Sequence, residues 1–303
     1  MTLINLYPLP GNEATAARIT QTLRARGHDA RVAACEVHRF PDGEALLRLD
    51  PPAPEAESVL VCTLDHPDAK TVPLLMAAAT LRELGTRRIG LVAPYLAYMR
   101  QDARFAPGQA ISARVYAALL SAHCDWLLTV DPHLHRIHDL GEIYTLRAHA
   151  LHAAPLLADW ITRNVSRPLI LGPDRESMQW AEDVARRVGA PLVILDKTRL
   201  GDSAVRISVP DLTRWPGHTP VLIDDVISSG RTLIAALEHL RTQHTPPPVC
   251  VAVHGLCAGD ALPAILAAGA ARVMCSNSVA HAATPIDLTG LLADGIVSML
   301  ATP

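Results

Sequence analysis

No apolar run in this chain approaches the ~20 residues a membrane span requires, and the N-terminus lacks a basic stretch leading into a long hydrophobic one. The expectation is a cytoplasmic protein with no membrane contact. Basic excess is missing too: 27 Lys and Arg stand against 30 Asp and Glu, a formal net charge of −3, so the concentrated basic stripe of a nucleic-acid binder is not expected. There is no C-x-x-C pair; the six cysteines are scattered, mostly in apolar runs, and read as reduced core residues. Also absent is G-x-x-x-x-G-K-[ST], the usual nucleoside triphosphate loop.

What remains is ample core material. In 303 residues, half hydrophobic and 19% charged, there is enough for two domains. Short runs rich in Val, Ile and Leu predict strands at 3–6, 59–64, 89–94, 126–130, 169–172, 192–195, 221–224, 249–253 and 272–275. Amphipathic stretches between them predict helices at 12–26 with Asn12 as N-cap, 70–84, 111–123, 176–188 and 232–241. Continuous apolar strands separated by helices imply parallel sheets covered on both faces. The alternation runs twice, on either side of a weakly patterned stretch at 139–150, which places one domain at 1–150 and a second at 151–303.

The segment Val221-Leu222-Ile223-Asp224-Asp225-Val226-Ile227-Ser228-Ser229-Gly230-Arg231-Thr232 puts two acids and an anion-sized loop at a strand end. Ligands of open parallel sheets collect beyond the carboxyl ends of strands, where the next helix points its first amides outward. Ser228, Ser229, Gly230 and Thr232 offer hydroxyls, a flexible backbone and a helix cap, which suits a phosphate monoester. Asp224 and Asp225 suit vicinal sugar hydroxyls or a Mg²⁺ shared with the sugar. The same residues also read as a serine cap beside a solvated strand end.

This stretch resembles the phosphoribosyl-diphosphate loop of the type I phosphoribosyltransferase fold. Other segments separate the transferases that consume the activated sugar from the diphosphokinases that make it. Arg39-Phe40-Pro41-Asp42-Gly43-Glu44 is good β-turn chemistry by itself, and it resembles the F-x-D-G-E element of the ribose-phosphate diphosphokinase family. Residues 94–114, PYLAYMRQDARFAPGQAISAR, resemble that family's R-Q-D segment and the helix start that follows it. Residues 129–140, TVDPHLHRIHDL, resemble its T-x-D-x-H segment, although the H-x-H spacing of His133, His135 and His138 also admits a zinc site. ILGPDRES at 170–177, ILDKTRLGD at 194–202 and AVHGLCAGDA at 252–261 continue the likeness.

The resemblance implies an α/β protein of two type I phosphoribosyltransferase-like domains, each a mainly parallel sheet flanked by helices. It implies a transferase that moves the diphosphoryl group of MgATP to the 1-hydroxyl of ribose 5-phosphate. Phe40, Asp42, Glu44, Arg100, Gln101, Arg104 and His133 would then meet ATP. Asp174, Asp224, Asp225, Ser228, Ser229, Gly230, Arg231 and Thr232 would hold the ribose 5-phosphate. Lys197 and Arg199, at the start of a flexible loop, would act with His133 in catalysis, and His133 and Asp174 would meet Mg²⁺. A homo-oligomer is implied, a dimer at least and a hexamer in some arrangements. Three departures stand out: Arg231 within the phosphate loop, Ala103 after R-Q-D, and Arg175-Glu176-Ser177 in place of a glycine-rich turn. These keep open a diphosphokinase for another sugar phosphate, beside a phosphoribosyltransferase and a non-catalytic paralogue.

Overall fold

The computed structural model describes residues 2–172, 178–200, 204–208, 210–281 and 283–301, with side chains at 179, 196–200 and 204–208 outside the description. The chain forms two units, one of residues 1–151 plus 289–303 and the other of residues 152–288.

The first unit runs β1 (Ile4–Pro8), α1 (Glu13–Ala25), β2 (Ala30–Val32), β3 (Cys35–Arg39), β4 (Ala45–Leu49), β5 (Glu57–Val61), α2 (Pro67–Glu83), β6 (Ile89–Ala93), α3 (Ser112–Ser121), β7 (Trp126–Val130) and β8 (Arg147–Leu151). Six strands pair in parallel in the order β2-β1-β5-β6-β7-β8. The central strands are mostly apolar because helices cover both faces, and β1, β6 and β7 are buried at every position. Within β6, Gly90 is the one residue with no side chain, and its neighbour explains it. It pairs with Trp126, and a Cβ at Gly90 would fall 2.0 Å from the indole Cζ2.

Local departures from the expected elements have local causes. Asn12 stands at the cap position of α1 but does not cap it. Its Nδ2 donates to the Leu9 and Pro10 carbonyls at 3.1 and 3.3 Å, and its Oδ1 accepts the Thr63 N–H at 2.8 Å, tying the ends of β1 and β5 together. The weakly patterned stretch after β7 holds a short 3-10 helix, Leu140–Glu142, and then β8, an edge strand whose alternating burial leaves few apolar residues to read. The second domain, expected to extend to residue 303, ends at Leu288. The last helix, Thr289–Ala301, returns to the first unit, where it packs on α1, β7 and β8, and Arg26, just past the end of α1, pairs with Asp294.

The second unit runs α4 (Ala154–Asn164), β9 (Pro168–Gly172), α5 (Met178–Val188), β10 (Leu192–Ile194), β11 (Asp196–Leu200), β12 (Ala204–Ser208), β13 (Thr219–Ile227), α6 (Arg231–Leu240), β14 (Val249–Gly255), α7 (Ala261–Ala267) and β15 (Arg272–Cys275). Five strands pair in parallel, in the order β10-β9-β13-β14-β15. All six cysteines are free, and burial pushes the Cys62 and Cys124 thiols up to about 12, far from reactive thiolates. Among the described residues no helix is long and apolar enough to cross a membrane.

Candidate active site

At the centre of the second unit, β13 stays extended for three residues beyond Asp224, where the strand was expected to end. Val226 and Ile227 are β-branched and keep pairing, opposite His254 and Gly255 of β14. The Ile227 carbonyl then accepts both the Leu256 and Cys257 N–H groups, at 2.9 and 3.0 Å, and pairing stops. Asp224 and Asp225 are therefore held late in a rigid central strand, each half-buried, with the Asp225 N–H donating to Asp224 Oδ1 at 3.0 Å.

The loop that follows is set by Gly230. Its φ of 71° lies in the left-handed region, and a Cβ there would stand 2.8 Å from Ile265 Cδ1 on α7. The Ser228 carbonyl accepts the Ala258 N–H at 3.0 Å, which fixes the other side of the turn. Gly230, not a hydroxyl residue, occupies the cap position of α6; Arg231 opens the helix and Thr232 lies inside it, correcting the expectation of a Thr232 cap. Among the described residues no side chain caps α6, and the hydroxyls of Ser228, Ser229 and Thr232 make no hydrogen bond. That removes the reading in which a serine merely caps the helix. Uncapped first-turn amides and three unengaged hydroxyls around one tight turn form a cradle for a small oxyanion. Arg231 is exposed at its rim.

Lys197 and Arg199 do not open an irregular loop. Their backbone lies in β11, antiparallel to β12, with Lys197 opposite Ile207 and Arg199 opposite Val205, and β12 runs beside α6. The alternation in Ala204-Val205-Arg206-Ile207-Ser208 is a ribbon signal that the sequence carried. Asp174 and Arg175-Glu176-Ser177 lie outside the described residues. His254, in the segment after β14 begins, is buried, with Nδ1 2.8 Å from the Ser278 hydroxyl, which donates to the Val253 carbonyl at 3.2 Å; it secures the strand end from below.

In the first unit three loops carry the other candidates. Phe40 begins the β3–β4 turn, closed by the Gly43 N–H donating to the Phe40 carbonyl at 2.9 Å. Phe40 is 42% exposed, and its ring stands nearly perpendicular to that of His38 with centroids 4.9 Å apart. Asp42 spends one oxygen on the Glu44 N–H at 3.1 Å, and Glu44 is exposed. The turn chemistry is thus real, and it leaves Phe40 exposed at the start of the turn.

Tyr98 enters the second loop at φ 63°, a strained conformation for a bulky residue, held by its hydroxyl on Asp68 and its ring on Tyr116 at 4.7 Å. Arg100 follows, exposed and unpaired among the described residues. Gln101 is engaged inward: its Nε2 donates to the Ala103 carbonyl at 3.3 Å and to Gln109 Oε1 at 3.4 Å. Arg104 Nε donates to the Gln109 carbonyl at 2.9 Å. Of the three, Arg100 is the free cation, whereas Gln101 and Arg104 also build the loop.

The third loop leaves β7 at Asp131, buried at φ 32°, whose N–H donates to the Leu151 carbonyl at 2.9 Å. His133 follows, with its ring edge-to-face on His135 at 4.0 Å. Among the described residues no three His, Cys, Asp or Glu gather as metal ligands, so the zinc reading of the three histidines finds no support. Magnesium shared with substrate phosphates needs only one or two oxygen ligands from the protein, and the Asp224-Asp225 pair is chemically suited to that.

Sequence reasoning missed one contact here. Asp102, whose side chain is 3% exposed, accepts the Arg136 backbone N–H and its Nη1 at 3.0 Å each, tying the second loop to the third. The Arg136 guanidinium also lies 5.1 Å over the Phe105 ring.

A parallel sheet with an acid pair and a tight glycine turn at the end of its central strand, in a chain with a second α/β unit, is a phosphoribosyltransferase-like fold. Residues 139–285 match the phosphoribosyl transferase domain, and residues 4–123 match the N-terminal domain of ribose phosphate pyrophosphokinase. The chain is 30% identical over 276 residues to a ribose-phosphate pyrophosphokinase of Methanopyrus kandleri, covering 89% of this chain and 92% of the relative. It is 31% identical over 261 residues to that of Methanothermobacter thermautotrophicus, covering 86% and 90%. The phosphoribosylpyrophosphate synthetase structure from Mycobacterium smegmatis superposes with a TM-score of 0.86 across 100% of both chains, at 23% identity, which shows a shared fold. The chain belongs to the ribose-phosphate pyrophosphokinase family, whose members are diphosphotransferases.

Proposed function

We propose that the protein transfers the β,γ-diphosphoryl group of ATP to the 1-hydroxyl of ribose 5-phosphate, giving 5-phosphoribosyl 1-diphosphate and AMP. The observation that carries this reading is the uncapped Ser228-Ser229-Gly230 turn directly after Asp224-Asp225, in a chain whose first unit matches the pyrophosphokinase N-terminal domain. A phosphoribosyltransferase would share the turn but have no use for that first unit.

The sugar oxygen attacks the β-phosphorus in line, the bond between that phosphorus and the α,β-bridging oxygen breaks, and the hydroxyl proton leaves as AMP departs. Both substrates are polyanions, so the work of the protein is positioning and charge neutralisation. The turn and the first amides of α6 grip the 5-phosphate, with Arg231 at the rim. Asp224 and Asp225 take the ribose hydroxyls. Arg100 and His133 take the ATP phosphates, Phe40 stacks on the adenine, and Asp42, Glu44, Gln101 and Arg104 frame it. Lys197 and Arg199 neutralise the charge that grows on the transferred phosphates. Mg²⁺ would be held by Asp224 and Asp225, with Asp174 and His133 as further contacts, and would supply charge neutralisation at the phosphates. The exposed Phe40 on its hairpin fits a nucleotide shared with a second copy of the chain, hence a homo-oligomer.

Incubation with MgATP and a panel of pentose phosphates tests the reading. AMP formed with ribose 5-phosphate supports it; ADP, or AMP only with another sugar phosphate, overturns it in favour of a different transfer or a different acceptor.

A further inference from the structure

The Arg100 to Arg104 segment has to hold an exposed arginine in one place although it is a loop. Its entry is fixed by the strained Tyr98, and the Ala113 N–H donates to the Gln101 carbonyl at 3.2 Å. Neither contact reaches the loop that carries His133. Among the contacts described above, Arg136 makes the links that do so, hydrogen-bonding Asp102 and lying over the Phe105 ring. The Asp102–Arg136 pair joins positions 34 residues apart through two hydrogen bonds of 3.0 Å, one from backbone and one from guanidinium. The carboxylate is almost fully buried while the arginine is 57% exposed, and Phe105 covers the guanidinium from the same loop as Asp102. A buried carboxylate deprived of its partner is costly, so the pair keeps one arrangement of the two loops. Neither residue projects a free charge as Arg100 does.

We propose that Asp102 and Arg136 are positioning residues for the nucleotide: they set the spacing between Arg100 on one loop and His133 on the next, so that both meet the same phosphate chain. This rests on the reading above that Arg100 and His133 contact ATP. Displacing a phosphate contact by about 1 Å costs up to roughly 100-fold. The pair acts on the nucleotide alone, because the ribose 5-phosphate turn belongs to the other unit.

The test is direct titration with a magnesium complex of a non-hydrolysable ATP analogue, together with steady-state kinetics, on wild type, Arg136→Ala, Arg136→Lys, Asp102→Ala, Asp102→Asn and the double alanine variant. Expected are an analogue Kd and an ATP KM raised about tenfold or more in each alanine variant, with the ribose 5-phosphate KM unchanged. The double variant is no worse than either single one, and Asp102→Asn, which keeps an acceptor for the Arg136 N–H, recovers part of the loss. Arg136 variants keep the backbone N–H on the buried Asp102 carboxylate, so they fold even if Asp102→Ala does not, and they then decide. Unchanged analogue Kd in folded Arg136→Ala overturns the proposal, as does an equal rise in both KM values. A wild type that binds the analogue but forms no AMP refutes the proposed reaction, while the ratio of Kd values still judges the pair. A wild type that does not bind the analogue refutes both.

Discussion

Replacing Gly230 by alanine should damage catalysis far more than folding. The residue sits at φ 71°, where an L side chain costs about 1–2 kcal/mol. The new methyl would also meet Ile265 Cδ1 at 2.8 Å and Cγ1 at 2.9 Å, closer than side chains tolerate. Ile265 is fully buried on α7, so it cannot swing into solvent, and crowding of this kind adds about 1–3 kcal/mol. Together these amount to roughly 2–5 kcal/mol, and the turn relieves the strain by shifting away from α7. A shift near 1 Å in the residues that grip the phosphate costs on the order of 100-fold in kcat/KM for ribose 5-phosphate. ATP affinity stays at the wild-type value. Thermal melting and steady-state kinetics with each substrate varied read both effects. Adding Ile265→Val removes the nearer atom for about 0.5–1.5 kcal/mol and should restore part of the activity, not all, since the dihedral strain remains. Wild-type kcat/KM for ribose 5-phosphate in Gly230→Ala would refute the reasoning about the turn.

Lys197→Ala should lower turnover by two to three orders of magnitude, the ~3–4 kcal/mol typical of a preorganised transition-state contact, with analogue affinity unchanged by titration; equal loss of both would make the residue a ground-state binder. Gly90→Ala should lower the unfolding free energy by about 1–3 kcal/mol or more through overpacking, because a methyl group cannot share space with the Trp126 ring; chemical denaturation checks it. Burial works to raise the Asp102 carboxyl, but the Arg136 hydrogen bonds and charge outweigh it and hold the group below the ordinary carboxylate value. A carboxyl lowered on folding stabilises above its unfolded pKa and loses that contribution as pH falls through the folded one. The stability gap between wild type and Asp102→Asn should therefore be flat above pH ~5 and shrink below pH ~4, as acid titration of melting temperatures would show.

The buried parallel strands were legible because covering both faces demands nearly continuous apolar runs, as in Ile89–Ala93 and Val249–Gly255. Exposed elements were not. The β3–β4 hairpin and the edge strand β8 alternate burial and carry Glu, His and Arg, so no apolar run marks them. Val226 and Ile227 hid the true end of β13, since the two acids before them look like a strand stop. The acid pair and the turn could be read as a site because the chemistry lies within nine residues of chain. The Asp102–Arg136 contact could not, because nothing at position 102 announces a partner 34 residues away. The return of the last helix to the first unit is likewise a tertiary fact, set by its packing on β7 and β8.

The central claim concerns which bond of ATP breaks. With ATP labelled separately at the α- and β-phosphates, in the presence of magnesium and ribose 5-phosphate, the account predicts that the β-label moves wholly into the sugar product and the α-label stays in AMP. A β-label left in ADP, or no label entering the sugar, would contradict it.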